Sequence, residues 1–559
     1  MEKPWHGSYA EGIPYTVDYE NMSLPQSLRR SAADFPDQTA LIFLDAKISY
    51  KKLNEMANRF ANALLGLGVK PGDKIALLMP NMPQIVAATY GCWKAGAVVV
   101  MNNPLYTDRE LEYQFNNSES FLLVTLDLLG PRMIGLRPRT QIKNIVIAHI
   151  RDHLNFPKKQ LLPLVAKDKH RNIPSQPNVY EWADLLKKYP SHDPGIAVDF
   201  ESLACLQYTG GTTGVSKGVM LTHANLSKNV QQIAAWFPGF KRGEVTHLGA
   251  LPIFHSFGLT CCMNICIWLG WTDVLIPRPE PQAILEAVHK YRVNFFPAVP
   301  TMYVGILNHP KLSRYNLTSI KGCFSGAAPL PVEVIKDFEV RTGSQICEGY
   351  GLSETSPVVT TNPFGGRKKA GSIGLPVPDT DIKVVDLSEG KKEMPAGEPG
   401  EVIIKGPQVT SGYYKMPGET AITIRDGWLY TGDIGKMDED GYFYIVDRKK
   451  DLIIAGGYNI YPRDIDEILF EHPKILEGCA VGIPDPYRGE TVKAFVVLKP
   501  GQKMTEEEVI KYCGEKLAKY KVPKIVEFVS SLPKSGVGKI LRKELRELEL
   551  ARKKAEDKG

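Results

Sequence analysis

The sequence predicts an α/β protein: a large N-terminal body of parallel-rich sheets flanked by helices, a β-rich subdomain, and a small α+β C-terminal domain. Three observations predict it. Over the first half, segments with apolar residues at helical spacing alternate with short apolar runs of strand length, the pattern of a helix-covered parallel sheet. Past Gly371 short strands lie between Gly/Pro clusters, as in antiparallel β structure. At Arg448-Lys449-Lys450-Asp451 the composition shifts, and a charged junction suits a linker between folding units. The domains are drawn at 1–449 and 450–559.

In chain order, Tyr50–Leu67 places Leu53, Met56, Ala57, Phe60, Ala61 and Leu64 on one helical face. Pro71-Gly72-Asp73 makes a turn, and Lys74–Met79 reads as a strand. Met82–Ala97 is helical; Ala97–Met101, Phe121–Leu126 and Asn144–Ala148 are apolar β runs. Ile382–Val385, Gly400–Ile404 and Gly441–Val446 are the short strands of the β-rich part. Beyond the junction come a helix (Pro462–Phe470), strands (Gly478–Gly482, Val492–Leu498), a helix (Thr505–Leu517) and a basic tail.

The chain of 559 residues is 43% apolar and 23% charged, which excludes disordered and fibrous classes. A net charge of +6, from 68 basic and 62 acidic residues, is too mild over this length to argue for nucleic acid. The nine cysteines show no CxxC or Cys/His ligand spacing, so they read as buried free thiols in a reducing compartment. Met1–Leu24 carries Glu2, Glu11, Asp18 and Glu20, unlike a signal or transit peptide. Leu259–Ile276, the most apolar stretch, is interrupted by Asn264 and Asp273 and falls short of the ~20 residues of a membrane span. A cytoplasmic protein is expected. Residues 150–175 interleave Lys158, Lys159, Lys167 and Lys169 with apolar residues, either as a solvated insertion or as a peripheral contact with the inner face of the cell membrane. Pro157 and Pro163 argue against one continuous helix there.

The sharpest motif runs from Tyr208 through Thr209, Gly210, Gly211, Thr212, Thr213 and Gly214 to Lys217. Glycines let backbone N–H groups curl around an anion, hydroxyls donate to phosphate oxygens, and the lysine adds a point charge. A strand before it and a helix pattern from Asn225 predict a strand–loop–helix phosphate site. It is not a Walker A loop, because Ser216 precedes Lys217 and Gly218 follows. The second motif, Glu348-Gly349-Tyr350-Gly351-Leu352-Ser353-Glu354-Thr355, offers an aromatic ring for a base, glycines for close backbone approach, a hydroxyl, and a carboxylate for a hard cation. Asp433 suits ribose hydroxyls, and Arg448 supplies a guanidinium. Near the end, Ser535-Gly536-Val537-Gly538-Lys539 is a glycine loop delivering one movable charge.

These motifs, in this order from about residue 25 to 548, resemble the adenylate-forming enzymes: acyl-CoA synthetases, luciferases and peptide-synthetase adenylation domains. With Asn103-Pro104-Leu105-Tyr106-Thr107, the chain looks most like bacterial long-chain fatty-acid–CoA ligases; Ser216 stands where the family commonly has proline. The resemblance implies that Thr209–Gly214 and Lys217 bind ATP phosphates, Tyr350 meets adenine, Ser353 the α-phosphate, Glu354 Mg²⁺, and Asp433 and Arg448 the ribose. It implies that Gly326, Ala327 and Ala328 line the adenine and acyl pocket, and that Gly349 and Gly351 of the second motif bind ATP. His255 would line the acyl and CoA tunnels, Lys450 would be the hinge of a mobile C-terminal domain, and Gly456, Gly457 and Tyr458 would line the CoA channel. Lys539 would touch the reacting carboxylate and α-phosphate, with Glu354, Thr209 and Lys217 sharing the catalysis. The implied substrates are ATP, CoA and a fatty acid, with Mg²⁺; the state, monomer or homodimer, is open. No aspartate follows His255 to hold an α-amino group, so an amino-acid substrate is not expected. The alternatives are a medium-chain or aromatic acid–CoA ligase, an acyl-AMP ligase loading a carrier protein, and a degenerate acyl-binding protein.

Overall fold

In a computed structural model the protein is described over residues 3–154, 170–209, 216–455, 458–485, 487–536 and 538–556. The loop 210–215, the 155–169 part of the basic segment, and Gly456 and Gly457 lie outside the described residues.

Four sheets build the chain. In the first, seven strands stand in the order Val179–Glu181, Asn144–Ala148, Ser120–Leu126, Lys74–Leu78, Val98–Met101, Leu203–Thr209, Lys217–Thr222. All neighbours are parallel except the last pair. Every residue of Val98–Met101 and Asn144–Ala148 is buried, because helices cover both faces; hence the unbroken apolar runs. Helix Tyr50–Gly66 starts where Ser49 Oγ accepts the N–H of Lys52 at 3.3 Å, and its predicted apolar face is buried. Helix Pro83–Lys94 is buried all round, which is why its pattern lacks a polar face.

The second sheet has nine strands. Its centre, Thr272–Leu275, Thr246–Gly249, Phe295–Ala298, Gly322–Ser325 and Gln345–Gly351, is parallel. Leu259–Ile276 is the buried core segment that its polar interruptions predict: a helical stretch to Leu269, a left-handed Gly270 (φ 68°), then a central strand. No helix among the described residues is long and apolar enough to cross a membrane. All nine cysteines are buried free thiols.

The third sheet is antiparallel and includes Asp381–Val385, Gly400–Lys405, Trp428–Met437 and Phe443–Arg448. The fourth lies beyond Arg448. Ile475–Asp485 and Gly489–Leu498 form its long antiparallel pair, and Ile525–Phe528 joins in parallel. With helices Pro462–Glu471, Glu506–Lys516 and Arg542–Glu556 it encloses two apolar clusters of its own.

Candidate active site

The phosphate-loop expectation needs one correction. Leu203–Thr209 and Lys217–Thr222 pair antiparallel with Thr209 opposite Lys217, so loop 210–215 closes a β-hairpin instead of leading into a helix. Helix His223–Trp236 begins only after the second strand, where Thr222 Oγ1 accepts the N–H of Asn225 at 3.0 Å. No helix N-terminus follows this loop directly, so the helix-dipole part of the phosphate-loop expectation falls away. From Val219 to Thr222 the strand shows its period: Val219 and Leu221 are fully buried, Met220 and Thr222 less so.

Lys217 is salt-bridged to Glu419, with its Nζ 5.2 Å from the ring centroid of Tyr413. The Tyr413 hydroxyl donates to Glu354 Oε1 at 2.9 Å, and the Glu354 carbonyl accepts the N–H of Thr410 at 2.8 Å. Two motifs more than a hundred residues apart are thus joined by the 410–420 stretch. Sequence reasoning missed Tyr413 and Glu419, since a tyrosine and a glutamate in a turn-rich stretch carry no local pattern.

Tyr350 stands at the end of strand Gln345–Gly351, and its hydroxyl donates to Asp433 Oδ2 at 2.5 Å. Burial, and then the Asp433 charge, hold the Tyr350 phenol well above its ordinary pKa, so it remains a donor. Asp433, 2% exposed, lies opposite Arg448 in the paired strands, with Arg448 Nε 3.0 Å from its Oδ1. Ser353 Oγ is 3.3 Å from Ser256 Oγ. The glycines answer to the protein's own packing: a Cβ on Gly349 would lie 2.3 Å from the Phe324 ring, and on Gly351 1.9 Å from the Pro357 carbonyl oxygen. Gly326 follows strand Gly322–Ser325, and Ala327 takes the left-handed φ of +69° that turns the strip between Gly326 and Ala328.

Lys539 is half-buried, and its loop is seated against the N-terminal body. A Cβ on Gly536 would come 2.7 Å from Asn103 Nδ2, and one on Gly538 2.8 Å from Thr301 Oγ1. Burial, and then the Arg448 guanidinium, pull the Lys539 ammonium down to about 8, against the opposing pull of Asp433. Burial and the Lys539 charge lower His255 to about 4, so it is neutral; its Nδ1 accepts the N–H of Phe257 at 3.2 Å. Lys450 is lowered too, by burial and Arg448, and its carbonyl accepts from Arg546 Nη1 at 2.9 Å. The structure therefore gathers Tyr350, Asp433, Arg448 and Lys539 around one point, and Glu354 with Lys217 around Tyr413.

Residues 28–414 match the family model described as AMP-binding enzyme, and residues 464–539 match the AMP-binding enzyme C-terminal domain. The chain belongs to the AMP-binding enzyme family. A long-chain-fatty-acid–CoA ligase of Bacillus subtilis (strain 168) is 47% identical over 556 residues, 98% of each chain. One of Escherichia coli O6:H1 is 38% identical over 558 residues, again 98% of each. Among solved structures, an anthranilate CoA ligase in complex with anthranoyl-AMP superposes with a TM-score of 0.85 at 27% identity, covering 97% of this chain and 98% of that one.

In this AMP-binding enzyme a small apolar cavity, with room for about one water, is lined by Ile233, Phe237, Cys261, Ile265, Trp271 and Phe295 among others. Phe324 lines the cavity and packs against Gly349. Trp271, which the sequence leaves unplaced, is thereby in the cavity wall. Two groups of metal-ligand type lie elsewhere among the described residues, Asp127/His149/His170 and His247/Cys266/Asp273. Of the latter, His247 Nδ1 is 3.0 Å from Asp273 Oδ1 and its Nε2 3.0 Å from the Cys261 carbonyl.

Proposed function

We propose that this AMP-binding enzyme is an AMP-forming acid–thiol ligase that makes acyl-CoA from a long-chain fatty acid. The relatives named long-chain-fatty-acid–CoA ligase, similar over nearly the whole chain, support the substrate class. The observation that carries the chemistry is the seating of the Lys539 loop on Asn103 and Thr301, where the ammonium feels the Arg448 and Asp433 charges.

A carboxylate with a pKa near ~4–5 is already an anion at pH 7 and needs no general base. The obstacle is repulsion between two anions. Loop 210–215, Thr209 and Lys217 would hold the β- and γ-phosphates, Tyr350 and the 326–328 strip the adenine, and Asp433 and Arg448 the ribose. Lys539 would sit between the acid and the α-phosphate, where its charge offsets the approach. One acid oxygen bonds to the α-phosphorus, the bond from that phosphorus to the β-bridging oxygen breaks, and pyrophosphate leaves. Glu354, a carboxylate fixed by the Tyr413 hydroxyl, fits Mg²⁺ and would hold it; when bound, the ion supplies positive charge to phosphate oxygens.

The unit 450–559 would then turn about Lys450, withdrawing Lys539 and presenting Gly456, Gly457 and Tyr458 to the CoA channel. His255, neutral, would line that channel. The CoA thiolate attacks the acyl carbonyl, the acyl–phosphate oxygen bond breaks, and AMP departs. The acyl chain would bind by burial, each buried methylene contributing up to about 0.8 kcal/mol. The reading places the enzyme in the cytoplasm. Contact with the membrane would fall to the basic segment, and equal liposome flotation of wild type and a Lys158/Lys159/Lys167/Lys169→Glu variant would sink that part.

The test is CoA-dependent AMP formation across acids from acetate to C18, benzoate and coumarate. A maximum at C12–C18 is expected. A maximum at short or aromatic acids would overturn the long-chain assignment and leave the mechanism; no AMP with any acid would overturn the ligase.

A further inference from the structure

We propose that Glu419 is an internal stand-in for phosphate: it holds Lys217 when no nucleotide is bound and competes with ATP and pyrophosphate for it. The inference rests on the reading above, in which Lys217 meets the triphosphate.

Lys217 is poorly exposed (12% of its side chain), and its ammonium is salt-bridged to Glu419. The pair is fixed on both sides. The Tyr413 ring lies 5.2 Å from Lys217 Nζ, and its hydroxyl is anchored on Glu354 at 2.9 Å. Thr420, next to Glu419, accepts the Tyr413 N–H on Oγ1 at 3.0 Å and donates that hydroxyl to the Met416 carbonyl at 2.9 Å. Carboxylate and ring therefore come from one rigid turn. Lys217 also begins the strand that closes the glycine-rich hairpin, so its backbone cannot follow a ligand; the side chain must swing.

An ammonium in a partly desolvated place is strongly bound by one anion, and a second anion must displace the first. Binding of ATP would thus cost the Lys217–Glu419 pair, and release of pyrophosphate would regain it. Glu419 weakens the nucleotide and speeds product departure. The residue lies just past the end of the matched region at 414, so its role is not part of that match.

The test is calorimetric binding of ATP, and separately of pyrophosphate, with neither acid nor CoA present, to wild type, Glu419→Gln and Glu419→Asp. Glu419→Gln should bind both about fivefold tighter, the ratio that about 1 kcal/mol of a partly exposed pair corresponds to. Its adenylation kcat should fall together with its KM for ATP, and Glu419→Asp should restore both. In a Lys217→Ala background the Gln substitution should change nothing. Unchanged or weaker ATP binding by a folded Glu419→Gln would overturn the proposal, as would a gain that persists without Lys217. Because acid and CoA are absent, an error in the substrate class leaves this result untouched. A wild type that binds no ATP would overturn the functional reading and this inference together.

Discussion

Two charge clusters in this molecule are opposite in kind. Around Lys539, the cations Arg448 and Lys450 face the carboxylates Asp433 and Asp451, and burial with the cations' repulsion still pulls the Lys539 ammonium down to about 8. At the end of strands Ser120–Leu126 and Asn144–Ala148, His149 lies between two carboxylates: its Nδ1 is 2.9 Å from Asp127 Oδ2 and its Nε2 2.7 Å from Glu181 Oε2. There burial opposes the charge, but the bonds to Asp127 and Glu181 outweigh it and push His149 up to about 9. One cluster keeps an excess of positive charge and a lowered ammonium; in the other, paired carboxylates hold the histidine charged. Cations held together against their own repulsion mark a place built for an anion from outside, whereas a network whose donors and acceptors face one another marks structure.

The largest expected effect tests the first half of that contrast. Lys539→Ala should lower the adenylation rate by roughly 10²–10³, the scale of losing one preorganised electrostatic contact. Thioester formation from supplied acyl-AMP should stay within a few-fold if the proposed rotation about Lys450 withdraws Lys539. Equal loss in both half-reactions would remove the domain rotation from the mechanism. Next in size, Asp433→Asn should raise the KM for ATP by about tenfold or more, since Tyr350 and Arg448 lose the charge they share.

The third effect is a pH profile. In the proposed mechanism Lys539 acts as an ammonium, and its charged fraction falls as pH rises through about 8. The adenylation kcat/KM, which reports the free enzyme, should therefore decline above about pH 8. The profile of kcat should decline at higher pH, because bound triphosphate favours the charged form. A flat profile to pH 10 would show that the crowding of cations around Lys539 is relieved in solution.

Much of this was legible in the sequence, and unevenly. Helix Tyr50–Gly66 and strand Lys74–Leu78 end within a residue of the positions that apolar spacing predicts, because their buried residues span nearly the whole of each element. Ile475–Asp485 extends well past the predicted Gly478–Gly482; Ile475 is buried, but Leu476, Glu477 and Ile483–Asp485 are not, and the broken burial hides the strand's ends from periodicity. In the site, Asp433 and Arg448 are readable from their motifs and turn out to be cross-strand neighbours. The hairpin around loop 210–215 was misread because glycines and a downstream helix pattern outweighed a short strand period. Tyr413, Glu419 and the His149 cluster were not readable. Asp127, His149, His170 and Glu181 come from four separate stretches, and only sheet order brings them together.

The smallest effect tests the second half of the contrast. A histidine whose folded pKa is raised above 6.5 contributes stability that is fully present below about pH 6.5 and lost as pH climbs through about 9. His149→Gln can keep only part of the network, and the carboxylates of Asp127 and Glu181 lose their shared cation. At pH 6 the variant should be less stable by about 2 kcal/mol, and above pH 9 the difference should shrink, read as melting temperature against pH. Its kcat and KM per folded molecule should match the wild type, since the cluster neutralises itself without substrate. A tenfold loss of kcat/KM at unchanged melting temperature would move this cluster into the functional class. So would a zinc-class ion that raises the melting temperature of wild type and not of His149→Gln, because Asp127, His149 and His170 present three ligand atoms within 4.8 Å of one another. Either result would show that internal neutrality does not separate structural charge from functional charge in this fold.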